Sequence, residues 1–157
     1  MPPQPHPTRQ PRGVMSDPFL EQRIIEHEGI KKSVYKDSLG LWTIGVGFLV
    51  DPSKNAGLSV DECMMILRSR LEKLDKQLSQ YNWYTNQDVV RKGVLQELAY
   101  NMGVNGLLEF KTFLAFMAAR RCSEAALDLK TTKWASQVSQ NRVNDILKRI
   151  REGTYAQ

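Results

Sequence analysis

Residues 27–48, HEGIKKSVYKDSLGLWTIGVGF, constrain the fold more than any other part of the chain. SVYK and LWTIGVGF are rich in β-branched and aromatic residues, which fit a pleated, half-buried surface. Between them, DSLG has aspartate first and glycine last, the favoured occupancy of a β-turn. Residues 33–48 therefore predict an antiparallel hairpin. Apolar residues elsewhere recur at helical spacing, so one hairpin implies a small sheet attached to helices, an α+β molecule.

The helices announce their own ends. Asp17-Pro18 sets an N-cap residue before a proline at the first helical position. Phe19, Leu20, Ile24 and Ile25 then form an apolar stripe, and Gly29 supplies the stop. Ser59-Val60-Asp61-Glu62 is a capping box, opening a helix with Cys63, Leu67, Leu71, Leu74 and Leu78 on one face. Thr85 to Asp88 opens another, with Val90, Val94, Leu98 and Met102 as its stripe and Gly103 as its stop. Shorter helices are expected over about 108–119, 123–132 and 139–152, the last ending at Gly153. The expected domain, 17–157, has a β lobe at about 30–58, a linking helix at about 59–80 and a helical lobe at about 81–153. Six of the seven prolines fall before residue 19. With Arg9, Arg12 and no apolar periodicity, residues 1–16 read as a disordered, extended arm in which Met15 offers a second start.

Composition narrows the functional classes. At 157 residues, 41% hydrophobic and 25% charged, the chain suits one globular domain, not a disordered or fibrous one. No apolar run approaches the roughly 18–20 residues of a membrane span, so no stable membrane insertion is expected. No leading apolar stretch of about 7–15 residues marks a signal peptide, so the protein is expected to begin in the cytoplasm. Cys63 and Cys122 are too few for a disulfide framework and wrongly spaced for zinc, and read as free, partly buried thiols. His6 and His27 belong to no metal-binding pattern, so no metal or other cofactor is expected. The net charge of +5 points to anionic partners: nucleic acid, anionic lipid or an acidic cell wall. Lys and Arg are scattered over helix surfaces without a nucleic-acid motif, and no nucleic-acid partner is expected.

The opening segment carries the chemistry. Glu28 lies four residues after Ile24, on an apolar face, and in the last helical turn, where the backbone dipole disfavours negative charge. Both effects are expected to raise its pKa, as a general acid requires; an exposed helix-end glutamate is the plainer reading. Asp37 likewise has a plain role as turn cap. Read as one continuous strand, the following segment puts Thr43, Gly45 and Gly47 on one face, with Trp42, Ile44, Val46 and Phe48 on the other. Glycine inside a strand often marks a close approach. If the hairpin closes at DSLG, Thr43 lies diagonal to Asp37, about 7–8 Å away. Two carboxylates in contrasting surroundings suit glycoside hydrolysis, one as acid and the other as nucleophile or as base for a water.

The residues Glu28-Gly29, Tyr35-Lys36-Asp37 and Trp42-Thr43-Ile44-Gly45-Val46-Gly47 follow a known pattern at matching steps. They resemble the phage-type lysozymes, the endolysin muramidases of glycoside hydrolase family 24. Weaker likeness runs from about 19 to 153, through Leu58-Ser59-Val60-Asp61-Glu62, Tyr100-Asn101-Met102-Gly103, Lys133-Trp134 and Asn141-Arg142. The resemblance implies a lysozyme-like fold, a small antiparallel β lobe and a larger helical lobe joined by a long helix. It implies cofactor-free, inverting hydrolysis of the β-1,4 bond between N-acetylmuramic acid and N-acetylglucosamine of bacterial peptidoglycan. Glu28 would be the acid, Asp37 would position or activate the water, and Thr43 would hold that water. Arg142 would pair with Glu28, while Leu49 and Tyr100 would line sugar subsites. A monomer released from the host cytoplasm through a holin to reach the wall, lysing the host, is the implied setting.

The segment departs from the pattern at Phe48, where the family commonly has histidine. Continuous alternation would turn Phe48 away from Thr43, so lobe packing is expected to change before chemistry does. The span from Leu49 to Leu58 is shorter than in longer members. Phe113 and Asp128 replace small polar and amide residues and are not assigned to binding. Two rivals remain: a lytic transglycosylase, which uses one glutamate and no attacking water, and an inactive wall-binding relative, which would lack Glu28, Asp37 or Thr43.

Overall fold

A computed structural model describes residues 17–154, and the proline-rich stretch read as an arm lies outside the described residues. The chain divides into two compact units, one ending at Cys63 and one beginning at Met64. The first holds helix α1 (Leu20–Glu28), strands β1 (Lys31–Lys36), β2 (Trp42–Gly45) and β3 (Phe48–Leu49), and a 3-10 turn, Pro52–Lys54. Helix α2 (Val60–Leu78) begins there and runs into the second unit. That unit continues with α3 (Asn82–Thr85), α4 (Val89–Met102), α5 (Val104–Leu108), α6 (Lys111–Ala118), α7 (Cys122–Lys130), α8 (Lys133–Gln137) and α9 (Gln140–Glu152). The molecule is α+β, with one antiparallel sheet in the order β1-β2-β3 among the described residues.

Local chemistry fixes the helix starts. At α2 the Ser59 hydroxyl accepts from the Glu62 backbone N–H at 3.1 Å, and the Glu62 carboxylate accepts from the Ser59 N–H at 2.8 Å. Two free donors of the first turn are thus satisfied reciprocally, and the bonds lower the Glu62 pKa. Asp88 caps α4 by accepting from the Arg91 N–H at 3.0 Å, and Ser139 caps α9 by accepting from the Arg142 N–H at 3.3 Å. Helix α1 starts slightly after its sequence signal: Asp17 Oδ1 accepts from the Phe19 N–H at 2.9 Å, and Gly29 ends the helix.

Apolar burial belongs to the second unit. Val143, Ile146, Leu147 and Ile150 form a buried stripe on α9, and Val90, Val94, Leu95, Leu98 and Ala99 are buried on α4. Phe113 of α6 and Leu129 of α7 are fully enclosed. Full burial of such a side chain is worth about 1.5–3 kcal/mol. Gln87 is the polar exception; its amide donates at 2.8 Å to the carbonyls of Trp83 and Met117 and so ties α3 to α6. Burial, and then a hydrogen bond to Asp75, push the Tyr84 phenol above its ordinary pKa.

Several sequence expectations are corrected. The strand through Phe48 is broken: the chain turns at Val46-Gly47 and returns as β3. The stripe Phe19, Leu20, Ile24 and Ile25 is exposed, and no residue of α1 is buried. A nine-residue helix and three short strands hold too little apolar surface to enclose a core of their own. Along α2 only Leu78 is fully buried and Cys63 is exposed, while Cys122 is half-buried; both thiols are free. The helix expected over about 108–119 begins at Lys111, and α3, α5 and α8 are additional short helices.

Candidate active site

The Gly-x-Gly turn brings a carboxylate against the sheet. Ile44 pairs with Phe48, and the chain reverses between them through Gly45, Val46 and Gly47. Gly45 and Gly47 have φ of +69° and +67°, which L side chains rarely adopt. Both positions are also crowded. A Cβ on Gly47 would lie 2.7 Å from Glu28 Oε2 and 3.0 Å from its Cδ, and one on Gly45 would lie 2.6 Å from the Phe48 ring. The glycines therefore form a turn that admits the exposed Glu28 carboxyl, rather than one face of a strand. Phe48, expected to point away by alternation, rests on Gly45.

Asp37 and Thr43 are related through the sheet. Tyr35 pairs with Thr43 and Lys36 with Trp42, so Asp37 stands two places past the partner of Thr43, on the diagonal. Asp37 Oδ1 accepts from the N–H groups of Leu39 and Leu41, each at 2.9 Å, while its own N–H donates to the Leu41 carbonyl at 2.9 Å. The turn cap and the candidate catalytic group are thus one side chain, with Oδ1 committed to the turn. Thr43 is buried, at 4% exposure, and its hydroxyl donates to the Leu41 carbonyl at 3.1 Å. The threonine oxygen is then left as an acceptor. Leu49 pairs with Thr43 from β3 and is exposed.

Asp51 was not singled out by the sequence, yet it secures this sheet. It is buried; Oδ2 accepts from the Trp42 N–H at 2.8 Å, and Oδ1 from the Ser53 N–H at 2.9 Å. Bonds from the Ser53 hydroxyl and the Trp42 N–H hold its carboxyl below the ordinary pKa of 3.8. Asp51-Pro52-Ser53 repeats the cap-then-proline signal of Asp17-Pro18, and that signal marks it. The Lys36 ammonium lies 5.1 Å from the centre of the Trp42 ring beside it.

The remaining candidates lie in the second unit. Tyr100 is exposed on α4 and edges a recess of about 350 Å³ with Arg70, Lys73, Leu74 and Gln77. Next to it, Asn101 Oδ1 accepts from the Trp134 indole N–H at 2.9 Å, joining two of the segments that carried the resemblance. Arg142, expected as the partner of Glu28, holds Glu97 across α4 and α9, with Nε 3.5 Å from Glu97 Oε1. Phe113 is buried in the core, which accounts for its lack of any surface role. The Asp128 carbonyl accepts from the Thr131 hydroxyl at 2.7 Å.

Taken by itself, the first unit presents one carboxyl at a glycine turn and a second carboxylate diagonal to a threonine acceptor. Such a pair can direct a water: both of its hydrogens are taken by protein oxygens, leaving its lone pair to attack. Among the described residues no group of three or more potential ligands could hold a metal. None of the described helices is long and apolar enough to cross a membrane.

Comparison with known proteins identifies the family. A family model described as phage lysozyme matches residues 25–153. "Probable T4-type lysozyme 1" of Dictyostelium discoideum is 32% identical over 154 residues, 81% of this chain and 90% of that protein. "Probable T4-type lysozyme 2" of the same organism is 28% identical over 162 residues, covering 86% of this chain and 95% of the relative. The family match spans the helix end, the turn and the hairpin described above, and the chain belongs to the phage lysozyme family.

Proposed function

We propose that this protein is a muramidase that hydrolyses the β-1,4 bond between N-acetylmuramic acid and N-acetylglucosamine in bacterial peptidoglycan. The observation that carries this reading is the diagonal relation of Asp37 and Thr43 in the unit that also sets Glu28 against Gly47. Glu28, protonated, gives its proton to the glycosidic oxygen as the bond to C1 breaks. A water held between Asp37 and Thr43 attacks C1 from the opposite face. Asp37 accepts one of its protons, and Thr43 Oγ1 accepts a hydrogen bond from the other. Attack opposite the leaving group inverts the anomeric centre. We assign Leu49 and Tyr100 to sugar subsites and Arg142 to a supporting role. The net charge of +5 favours residence on an anionic wall.

A lytic transglycosylase needs no attacking water, so the Asp37–Thr43 pair speaks against it. The two readings separate by product. Digested peptidoglycan with reducing N-acetylmuramic acid ends supports hydrolysis, and 1,6-anhydro ends overturn it. A proton NMR time course gives the α-anomer first if inversion holds.

Two settings suit such an enzyme. In one it is an endolysin, held as a monomer in the host cytoplasm until a holin opens the membrane, then reaching the wall and lysing the host. In the other it is a bacteriolytic lysozyme of a cellular organism, a reading favoured by the Dictyostelium relatives. Lysis on expression with a holin but not without one supports the first, and secretion into a bacteria-containing compartment supports the second.

A further inference from the structure

One peptide group in the first unit is shared by both residues assigned to the water. The Leu41 carbonyl accepts twice, from the Asp37 N–H at 2.9 Å and from the Thr43 hydroxyl at 3.1 Å. The N–H of the same peptide group, that of Trp42, donates to Asp51 Oδ2 at 2.8 Å. A peptide group is planar and trans, so its N–H and C=O point opposite ways and turn together. Whatever holds the Trp42 N–H therefore holds the Leu41 oxygen. With that oxygen go the Asp37 backbone and the direction of the Thr43 hydroxyl hydrogen.

Asp51 is built to hold this group. Strand β3 ends at Leu49, and the Val50 N–H donates to the Trp42 carbonyl at 2.9 Å. The next residue then offers Trp42 a carboxylate. Its Oδ1 accepts from the Ser53 N–H at 2.9 Å and from the Ser53 hydroxyl, while its own carbonyl accepts from the Lys54 and Ala56 N–H groups at 3.1 and 3.2 Å. Capping the Pro52–Lys54 turn needs Oδ1 alone; Oδ2 reaches back nine residues to Trp42. The side chain is buried, so these bonds leave it little rotamer freedom. An ionised acceptor makes bonds roughly twice as strong as a neutral one, and it polarises the bonds further along the chain.

We propose that Asp51 is a positioning residue for the glycosidase reaction, fixing Asp37 and Thr43 together through the Leu41–Trp42 peptide group. This rests on the reading in which those two residues hold the attacking water. Asp51 is buried and does not touch substrate. Its loss loosens the acceptors around the water and therefore reads out in turnover, not in substrate affinity.

The test measures kcat and KM on soluble peptidoglycan strands with full-length protein below its Tm, alongside backbone amide chemical shifts. Asp51→Ser keeps a capping oxygen for the Ser53 N–H but is too short to reach Trp42 as well. It is expected to lower kcat roughly three- to tenfold with KM little changed, the scale of a small misplacement of reacting groups. The Asp37 amide proton is expected to shift together with that of Trp42, although its bond runs to Leu41 and not to Asp51. Ser53→Ala, which leaves the Oδ2 bond in place, is expected to keep wild-type kcat. In a Thr43→Ala background the loss caused by Asp51→Ser is expected to shrink by at least about half.

Unchanged kcat in Asp51→Ser, an unmoved Asp37 amide, or an equal fold loss with and without Thr43 would overturn the proposal. A fall with Ser53→Ala as large as with Asp51→Ser would reduce Asp51 to a turn cap and overturn it too. Should Asp51→Ser fail to fold, Asp51→Asn, of nearly the same shape with one acceptor fewer, carries the same readouts. Wild-type protein inactive on these strands, or Thr43→Ala at wild-type turnover, sinks the reading of the site itself. That outcome is distinct from an active enzyme in which Asp51 is uncoupled.

Discussion

Among the described residues up to Cys63 only Thr43 and Asp51 are buried, both polar, whereas from Met64 onward the buried residues are apolar except Gln87. The first unit is organised by directed bonds, Asp37 on its turn and Asp51 on Trp42 and Ser53, and by the close approach of Glu28 to Gly47. The second is organised by enclosed side chains on α4, α6, α7 and α9. Hydrogen bonds hold geometry at modest net stability, while apolar burial holds the fold with little directional demand. Chemistry and stability are therefore expected to separate under mutation.

The strongest way to sharpen that contrast is Asp37→Asn. The amide keeps an oxygen for the Leu39 and Leu41 N–H groups, so the turn survives and Tm should barely move. Loss of the proton acceptor is expected to slow peptidoglycan clearing by at least about a hundredfold. A parallel fall in Tm would break the separation. Next, Leu98→Ala in the second unit, where Leu98 is 0% exposed, is expected to cost about 2–5 kcal/mol of stability by denaturant unfolding. Activity per folded molecule should remain, and its loss would show that the core also shapes the site.

Gly47→Ala tests the seam between the two kinds of organisation. Its φ of +67° disfavours any Cβ by about 1–2 kcal/mol, and the added carbon displaces the Glu28 carboxyl. Clearing is expected to fall roughly tenfold or more, beyond what the stability change explains. Full activity in a destabilised protein would detach Glu28 from the turn. The smallest effect concerns Asp51. Its carboxyl is depressed in the folded state, so the stability it adds is present above the ordinary value of 3.8 and is lost as pH falls through the lower folded value. Asp51→Asn should accordingly lower Tm at neutral pH and flatten its decline below about pH 4. An unchanged acid limb would remove Asp51 from the account.

Features written in neighbouring residues were legible in the sequence. Ser59 with Glu62, Asp88 before α4, and DSLG in the hairpin each complete their bonding within a few residues. The pairing of Asp37 with the Thr43 diagonal followed because a short turn fixes register. Gly45-Val46-Gly47 misled, since glycine is compatible with both strand and turn, and only the crowding by Glu28 and Phe48 distinguishes them. The α1 stripe was visible as a stripe, but periodicity tells which residues share a face and not whether anything encloses it. The shortest helices lie below two turns, too brief for a period to register. Glu97 was invisible for another reason: its partners are 45 and 52 residues away, and nothing local marks it.

The central claim is that Glu28 is the general acid of a glycosidase, and one comparison tests it most directly. Purified peptidoglycan is treated with wild-type protein and with Glu28→Gln, matched for folded concentration by Tm and circular dichroism. Wild type is expected to clear the suspension and release reducing ends, with the variant slower by roughly a hundredfold or more and equally stable. Equal clearing by the two proteins would contradict the account.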